Sequence, residues 1–218
     1  MVYHDRFYRV VVAAGRLVFR VASRPVVLHG ARVPSRGGVL LASNHTSPYD
    51  VACLMSACRR PIDFVSIVEV KERPLVGAFF RRLNCMFLDR HRSDAVTARE
   101  ILVRLRDGRL VGIFPEGRLT TAESSVLRGG EITSGIGQLA QVARVPVVPC
   151  VVLDTGNFAG LAPWLPLRRT RYAVAFGNPL EVRGDLPRSA ARADLEERWR
   201  SGLLELEAEL LPSMTWRR

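Results

Sequence analysis

Short apolar runs alternate with helical stretches along most of this chain. That alternation restricts it to an α/β class: a single domain with a largely parallel central sheet flanked by helices. VLLA (39–42), the stretch 63–68, CMFLD (85–89), LVGIF (110–114), VPVVPCVVL (145–153) and YAVAF (172–176) read as strands. Between them lie helices at PYDVACLMSACRR (48–60), at 74–83, from a Ser93 cap to Gly108, and at 131–143. Ser47 followed by Pro48 suits a helix start, with serine as cap and proline in the first turn. The tail ADLEERWRSGLLELEAELL (193–211) puts Leu195, Trp199, Leu203, Leu206 and Leu210 on one stripe. With 218 residues the chain holds one such domain rather than two.

The stretch RFYRVVVAAGRLVFRVASR (6–24) stands apart. Plotted at ~100° per residue, Arg6, Arg9, Arg16, Arg20 and Arg24 fall within roughly 80° of arc, and apolar residues fill most of the remainder. Residues 1–25 are therefore expected to form an amphipathic helix in the bilayer interface, its arginines near lipid phosphates, with 26–218 as the folded domain. No run reaches about 18 apolar residues, which argues against a membrane span. Arg16 and Arg20 interrupt the apolar stretch, so a cleaved signal peptide fits poorly.

A net charge of +11 points to anionic partners: nucleic acid, an acidic lipid surface, a phosphate-bearing substrate or an acidic carrier protein. Nucleic acid is not expected, because no binding motif or interleaved aromatic platform accompanies the charge. Cys53, Cys58, Cys85 and Cys150 form no C-x-x-C pair and sit among apolar neighbours, as reduced core thiols do. His4, His29 and His91 lack metal-ligand spacing, so no metal is expected. A G-x-S-x-G elbow is missing, and GIGQLA (135–140) lies in a helix rather than after a strand.

Parallel sheets gather their sites at the carboxyl ends of strands. Three such ends carry unusual polar groups here: SNHTSPYD, FLDRHR and FPEGR. In the first, Asp50 can hold one ring N–H of His45 and leave the other nitrogen to accept a proton from a hydroxyl. H-x4-D alone also allows Asp50 to be a first-turn dipole partner and His45 a plain loop histidine. Arg90 and Arg118 suit phosphate or carboxylate recognition by their forked donors.

With NHTSPYD and FPEGR together, the chain resembles the glycerolipid acyltransferases, the family that includes the 1-acyl-sn-glycerol-3-phosphate acyltransferases. Its four ordered blocks look like 44–50, 87–90, 114–118 and 145–150 of this sequence. The resemblance implies His45 as general base oriented by Asp50, direct attack on an acyl thioester, and no acyl-enzyme. It implies Arg90 and Arg118 on the acceptor phosphate, with Asn44, Glu116 and Gly117 shaping the acceptor site. The implied reaction uses acyl-CoA or acyl-carrier protein as co-substrate, with no other cofactor, at the cytoplasmic face of the membrane. Two departures leave the acceptor open. FPEGR stands where the family commonly has F-P-E-G-T-R, and Asn84 where it has Gly. Lysophosphatidate is the default acceptor; a 2-acyl-glycerophosphoethanolamine-like lysolipid, an ornithine-lipid precursor or a non-catalytic lipid-binding role are the alternatives.

Overall fold

The computed structural model describes residues 2–72, 74–88, 95–121, 123–132, 135–159 and 170–214, the side chains of Arg20, Val70 and Lys71 aside. Its strands are β1 (Ser23–Leu28), β2 (Val39–Ser43), β3 (Ile62–Ile67), β4 (Met86–Leu88), β5 (Leu110–Ile113), β6 (Val147–Leu153) and β7 (Thr170–Phe176). Its helices are α1 (Asp5–Ala22), α2 (Asp50–Ala57), α3 (Val68–Lys71), α4 (Pro74–Arg82), α5 (Ala95–Arg106), α6 (Ile136–Ala143) and α7 (Arg188–Ser213). The strands form one sheet in the order β1-β7-β6-β2-β5-β3-β4. Strands β6, β2, β5, β3 and β4 run parallel, while β7 is antiparallel to β6 and carries β1 with it.

Alternation along the strands sorts the core into two layers. Leu40, Ala42, Val111, Ile113, Val147 and Val151 pack with α5, α6 and α7; Leu41, Ile62, Phe64, Leu110, Val148 and Val152 pack with α1 and α2. The α7 stripe is buried as its spacing requires, and Trp199 donates its indole N–H to the Ala42 carbonyl at 3.1 Å. Each large side chain sealed in this way contributes about 1.5–3 kcal/mol.

Several boundaries move. The second helix starts at Asp50 rather than Pro48, because Ser47 to Asp50 closes a turn first, with Asp50 N donating to Ser47 O at 3.1 Å. Helix α6 starts at Ile136 rather than Glu131. A strand, β1, replaces the expected last turn of the N-terminal helix. Pro25 disfavours a helical conformation at Arg24, and the Ser23 N–H and hydroxyl turn back to the Phe19 carbonyl. Arg24 therefore stands in β1, off the arginine stripe, and the boundary expected at residue 25 falls inside this strand.

Helix α1 packs on the domain. Tyr8 and Phe19 are buried; the Tyr8 hydroxyl accepts the Ile62 N–H at 3.0 Å, and the Phe19 ring meets Phe158 and Tyr172 edge-on. At its start, the Arg109 guanidinium forks onto Asp5 (2.7 and 2.8 Å) and onto buried Asp63 (2.6 and 2.9 Å). The hydrogen bond from Arg109 holds the Asp5 carboxyl below its ordinary value, against the opposing effect of burial. Arg6 and Arg9 are exposed as expected. Arg16 instead turns inward and donates to the carbonyls of Ser56 (3.0 Å) and Cys58 (2.5 Å). Apolar residues of α1 face solvent as well: Val10, Leu17, Val18 and Val21. Among the described residues, no helix is long and apolar enough to cross a membrane.

Candidate active site

Strand β2 is buried along its whole length, hydrogen-bonded on one side to β5 and on the other to β6. Its end is fixed by Asn44, whose side-chain amide bonds the Val152 backbone in both directions, at 2.8 and 2.9 Å. The amide thus extends the β2–β6 ladder beyond Ser43 and sets where His45 leaves the sheet. Asn44 is fully buried, so the substrate-binding part expected of it from sequence would be played through the strand end that its side chain holds.

The imidazole of His45 comes next, partly exposed. Its Nδ1 lies 2.9 Å from Asp50 Oδ2. Because a carboxylate only accepts, Nδ1 carries a proton, and it is Nε2 that holds the lone pair in the neutral ring; Nε2 has no hydrogen-bond partner among the described residues. Asp50 is fully buried. Its Oδ2 also takes the N–H groups of Thr46 and Ser47, each at 2.9 Å, and its Oδ1 takes the Thr155 hydroxyl. It therefore does two things at once: it ties down the loop that leads into α2 and aims the imidazole. The ring plane is set by Phe114, stacked on it at 3.8 Å and 12°, and Phe114 lies over Phe64 in turn.

FPEGR follows β5 and is stitched to the histidine loop. The His45 carbonyl accepts the Thr120 N–H at 2.9 Å and the Thr120 hydroxyl at 3.0 Å, while the His45 N–H donates to Glu116 Oε2 at 2.6 Å. Glu116 Oε1 takes the Ser125 hydroxyl (2.9 Å) and the Val126 N–H (2.6 Å). Only 2% exposed and bonded on both oxygens, Glu116 braces His45. The part expected of it in shaping the acceptor site would be played through the His45 loop rather than by a free carboxylate. Gly117, at φ +66°, makes the sharp turn that FPEGR predicts and borders the cavity below. Arg118 is exposed and makes no hydrogen bond or ion pair among the described residues. Arg90 lies outside the described residues.

Beside His45 opens a mostly apolar cavity of about 480 Å3, walled by Phe64, Phe80, Ala98, Ile101, Ile113 and Leu139 among others. Cys85 also borders it; burial pushes its thiol up to about 12, so it is a neutral wall and not a nucleophile. Among the described residues no group of three or more His, Cys, Asp or Glu is placed to hold a metal ion. A base with a free lone pair, held at the mouth of an apolar cavity, can deprotonate a hydroxyl on an amphiphile.

Thr155, Phe114 and Gly112 were missed as positioning residues. Thr155 carried one signal, since it follows the carboxyl end of β6, a fourth strand end on the same edge as the other three. Gly112 acts by absence: a Cβ there would lie 2.5 Å from the Phe64 ring that supports Phe114. Gly112→Ala is expected to cost about 1–3 kcal/mol through overpacking. Urea melts should show that loss together with a lower kcat; unchanged stability would show that Phe64 yields freely.

Comparison with known proteins gives a consistent picture. The family model described as Acyltransferase matches residues 25–153. A 1-acyl-sn-glycerol-3-phosphate acyltransferase of Bacillus subtilis is 22% identical over 206 residues, covering 93% of this chain and 98% of the relative. A lyso-ornithine lipid O-acyltransferase of Rhizobium meliloti is 34% identical over 139 residues, covering 60% of this chain and 46% of that protein. Among solved structures, the 1-acyl-sn-glycerophosphate acyltransferase PlsC of Thermotoga maritima shares the fold, with a TM-score of 0.70 and 21% identity over 95% of this chain and 84% of that one.

Proposed function

This chain belongs to the acyltransferase family, and from that premise we propose that it moves a fatty acyl group from an acyl thioester to the hydroxyl of a lysophospholipid. The preferred acceptor is 1-acylglycerol-3-phosphate and the product phosphatidic acid; the donor is acyl-CoA or acyl-carrier protein. The observation that carries the reading is the His45 Nδ1–Asp50 bond, which leaves Nε2 free at the edge of an apolar cavity.

In the step itself, His45 Nε2 takes the acceptor's hydroxyl proton as that oxygen attacks the thioester carbonyl. The carbon–sulfur bond breaks, and the departing thiolate takes the proton from the imidazolium. Atoms and charge balance without a metal or organic cofactor, and no acyl-enzyme forms. Arg118, exposed and without a hydrogen bond or ion pair among the described residues, is assigned the acceptor phosphate, and Arg90 is assigned the same task from the sequence pattern. The cavity takes an acyl chain. Ala98→Phe, which narrows it, is expected to shift the preferred donor toward shorter chains in a competition assay; an unchanged chain profile would place the chain elsewhere.

The enzyme works from the cytoplasmic face of the membrane as a peripheral protein. Support comes from the apolar outer face of α1 and from Leu75, Val76 and Phe79 on α4, which project into solvent. The two helices meet where the Phe7 and Phe79 rings lie 6.0 Å apart.

The Rhizobium relative, with its higher identity, favours an ornithine-lipid precursor as the second acceptor reading. One experiment decides between them. The chain is incubated with labelled acyl-CoA or acyl-carrier protein and, in turn, lysophosphatidate, lyso-ornithine lipid and 2-acyl-glycerophosphoethanolamine. Phosphatidate and free thiol in equal amounts are expected. Label in ornithine lipid instead would move the acceptor, and no thiol release with any lysolipid would leave a lipid-binding protein without turnover.

A further inference from the structure

The flank of α1 that borders its exposed apolar residues is concave and cationic. Two adjoining recesses, of about 390 and 280 Å3, lie between α1, the turn after α2 and the start of β1. Arg16 and Arg59 line both; Arg9 and Arg60 line the larger, and among the described residues no acidic side chain lines either. Arg60 is anchored by the carbonyls of Pro34, Gly37 and Gly108 (2.6, 2.8 and 2.8 Å), and Arg16 by those of Ser56 and Cys58. Carbonyl oxygens orient a guanidinium without cancelling its charge. Burial lowers the pKa of Arg60 from its ordinary value, as expected of a cation lacking a counterion. Arg9 and Arg59 are exposed and make no hydrogen bond or ion pair among the described residues. Asp63, whose charge reaches Arg60, is already shared between Arg104 and Arg109, and Asp5, near Arg9, is taken by Arg109. Two anchored and two exposed guanidinium groups thus line a hollow that the described residues leave without an anion.

Its position says which anion fits. Arg9 and Arg16 stand about two turns apart on one side of α1, next to exposed Val10 and Leu17. A lipid whose chains lie along that apolar face would bring its phosphate level with the hollow. The larger recess, which all four arginines line, adjoins the turn that leads into β3, at the amino edge of the parallel strands, whereas His45 lies past the carboxyl end of β2; the smaller recess continues from it toward the start of β1. Helix α2 separates the two by about 12 Å of rise.

We propose that this recess is a second, non-catalytic site that binds the phosphodiester of an anionic bilayer phospholipid and so seats the enzyme on acidic membrane. The proposal rests on the membrane-peripheral reading above.

Partition of the full chain is measured on phosphatidylcholine vesicles with and without phosphatidylglycerol, for the wild type, for Arg9→Gln/Arg59→Gln, and for Arg6→Gln/Arg81→Gln, which removes equal charge outside the recess. The wild type should prefer the acidic vesicles. The recess double variant should lose about 30-fold of that preference, about 5-fold for each guanidinium, while the control variant keeps most of it. Equal losses in the two variants would reduce the site to diffuse surface charge and overturn it. Inorganic phosphate matching the lipid in displacing the chain from acidic vesicles would assign the recess to a soluble anion and overturn it too. Failure of the wild type to bind either vesicle would instead sink the membrane reading and this site with it.

Discussion

Replacing His45 by glutamine is expected to lower kcat for acyl transfer by about 10²- to 10⁴-fold, the usual contribution of a positioned general base, while KM for both substrates changes little. Glutamine keeps a planar polar group over Phe114 and an amide hydrogen for Asp50, so the loop held by the Glu116 and Thr120 bonds should stay in place. What it lacks is a nitrogen lone pair that can take a proton at neutral pH. Steady-state kinetics, with a melting curve to show that the fold is intact, check this. Turnover within a few-fold of wild type would remove His45 from the chemistry and leave the cavity as a binding site only.

The parts of this site that were legible in the sequence are those written in neighbouring residues. VLLAS running into NHTSPYD announces a buried strand that ends in polar groups, and the spacing from His45 to Asp50 matches the bond observed between them. The α7 stripe was equally plain, because a helix repeats its buried positions locally. What stayed hidden depends on partners far along the chain. Nothing next to Asn44 says that its amide will meet Val152, or next to Glu116 that both oxygens will be taken by His45, Ser125 and Val126. An exposed glutamate and a buried brace look alike in FPEGR. The reversed direction of β7 had a faint local mark: the sequence between VPVVPCVVL and YAVAF carries no helical periodicity, and a parallel return needs a crossover. Strand β1 was masked because SRPVVL continues the apolar character of α1, and Pro25 alone marks the break.

Asp50→Asn should be nearly as damaging as the loss of His45, for a different reason. Four donors converge on this carboxylate: the His45 ring, the N–H groups of Thr46 and Ser47, and the Thr155 hydroxyl. An asparagine presents one oxygen and one NH2 to that set, so at least one buried donor must face another donor, at a cost of about 1–3 kcal/mol in stability. If the NH2 faces the ring, the imidazole must shift its proton to Nε2, which removes the lone pair needed for catalysis. The expected result is a kcat lower by about 10²-fold or more, with the cavity and KM largely preserved. Thr155→Val supplies the contrast. It removes one donor from Asp50 while leaving the carboxylate on the ring, so it should cost about 1–2 kcal/mol in stability and only a few-fold in kcat. Should the asparagine variant fall no further than the valine one, Asp50 would be holding the loop together and not the tautomer of His45.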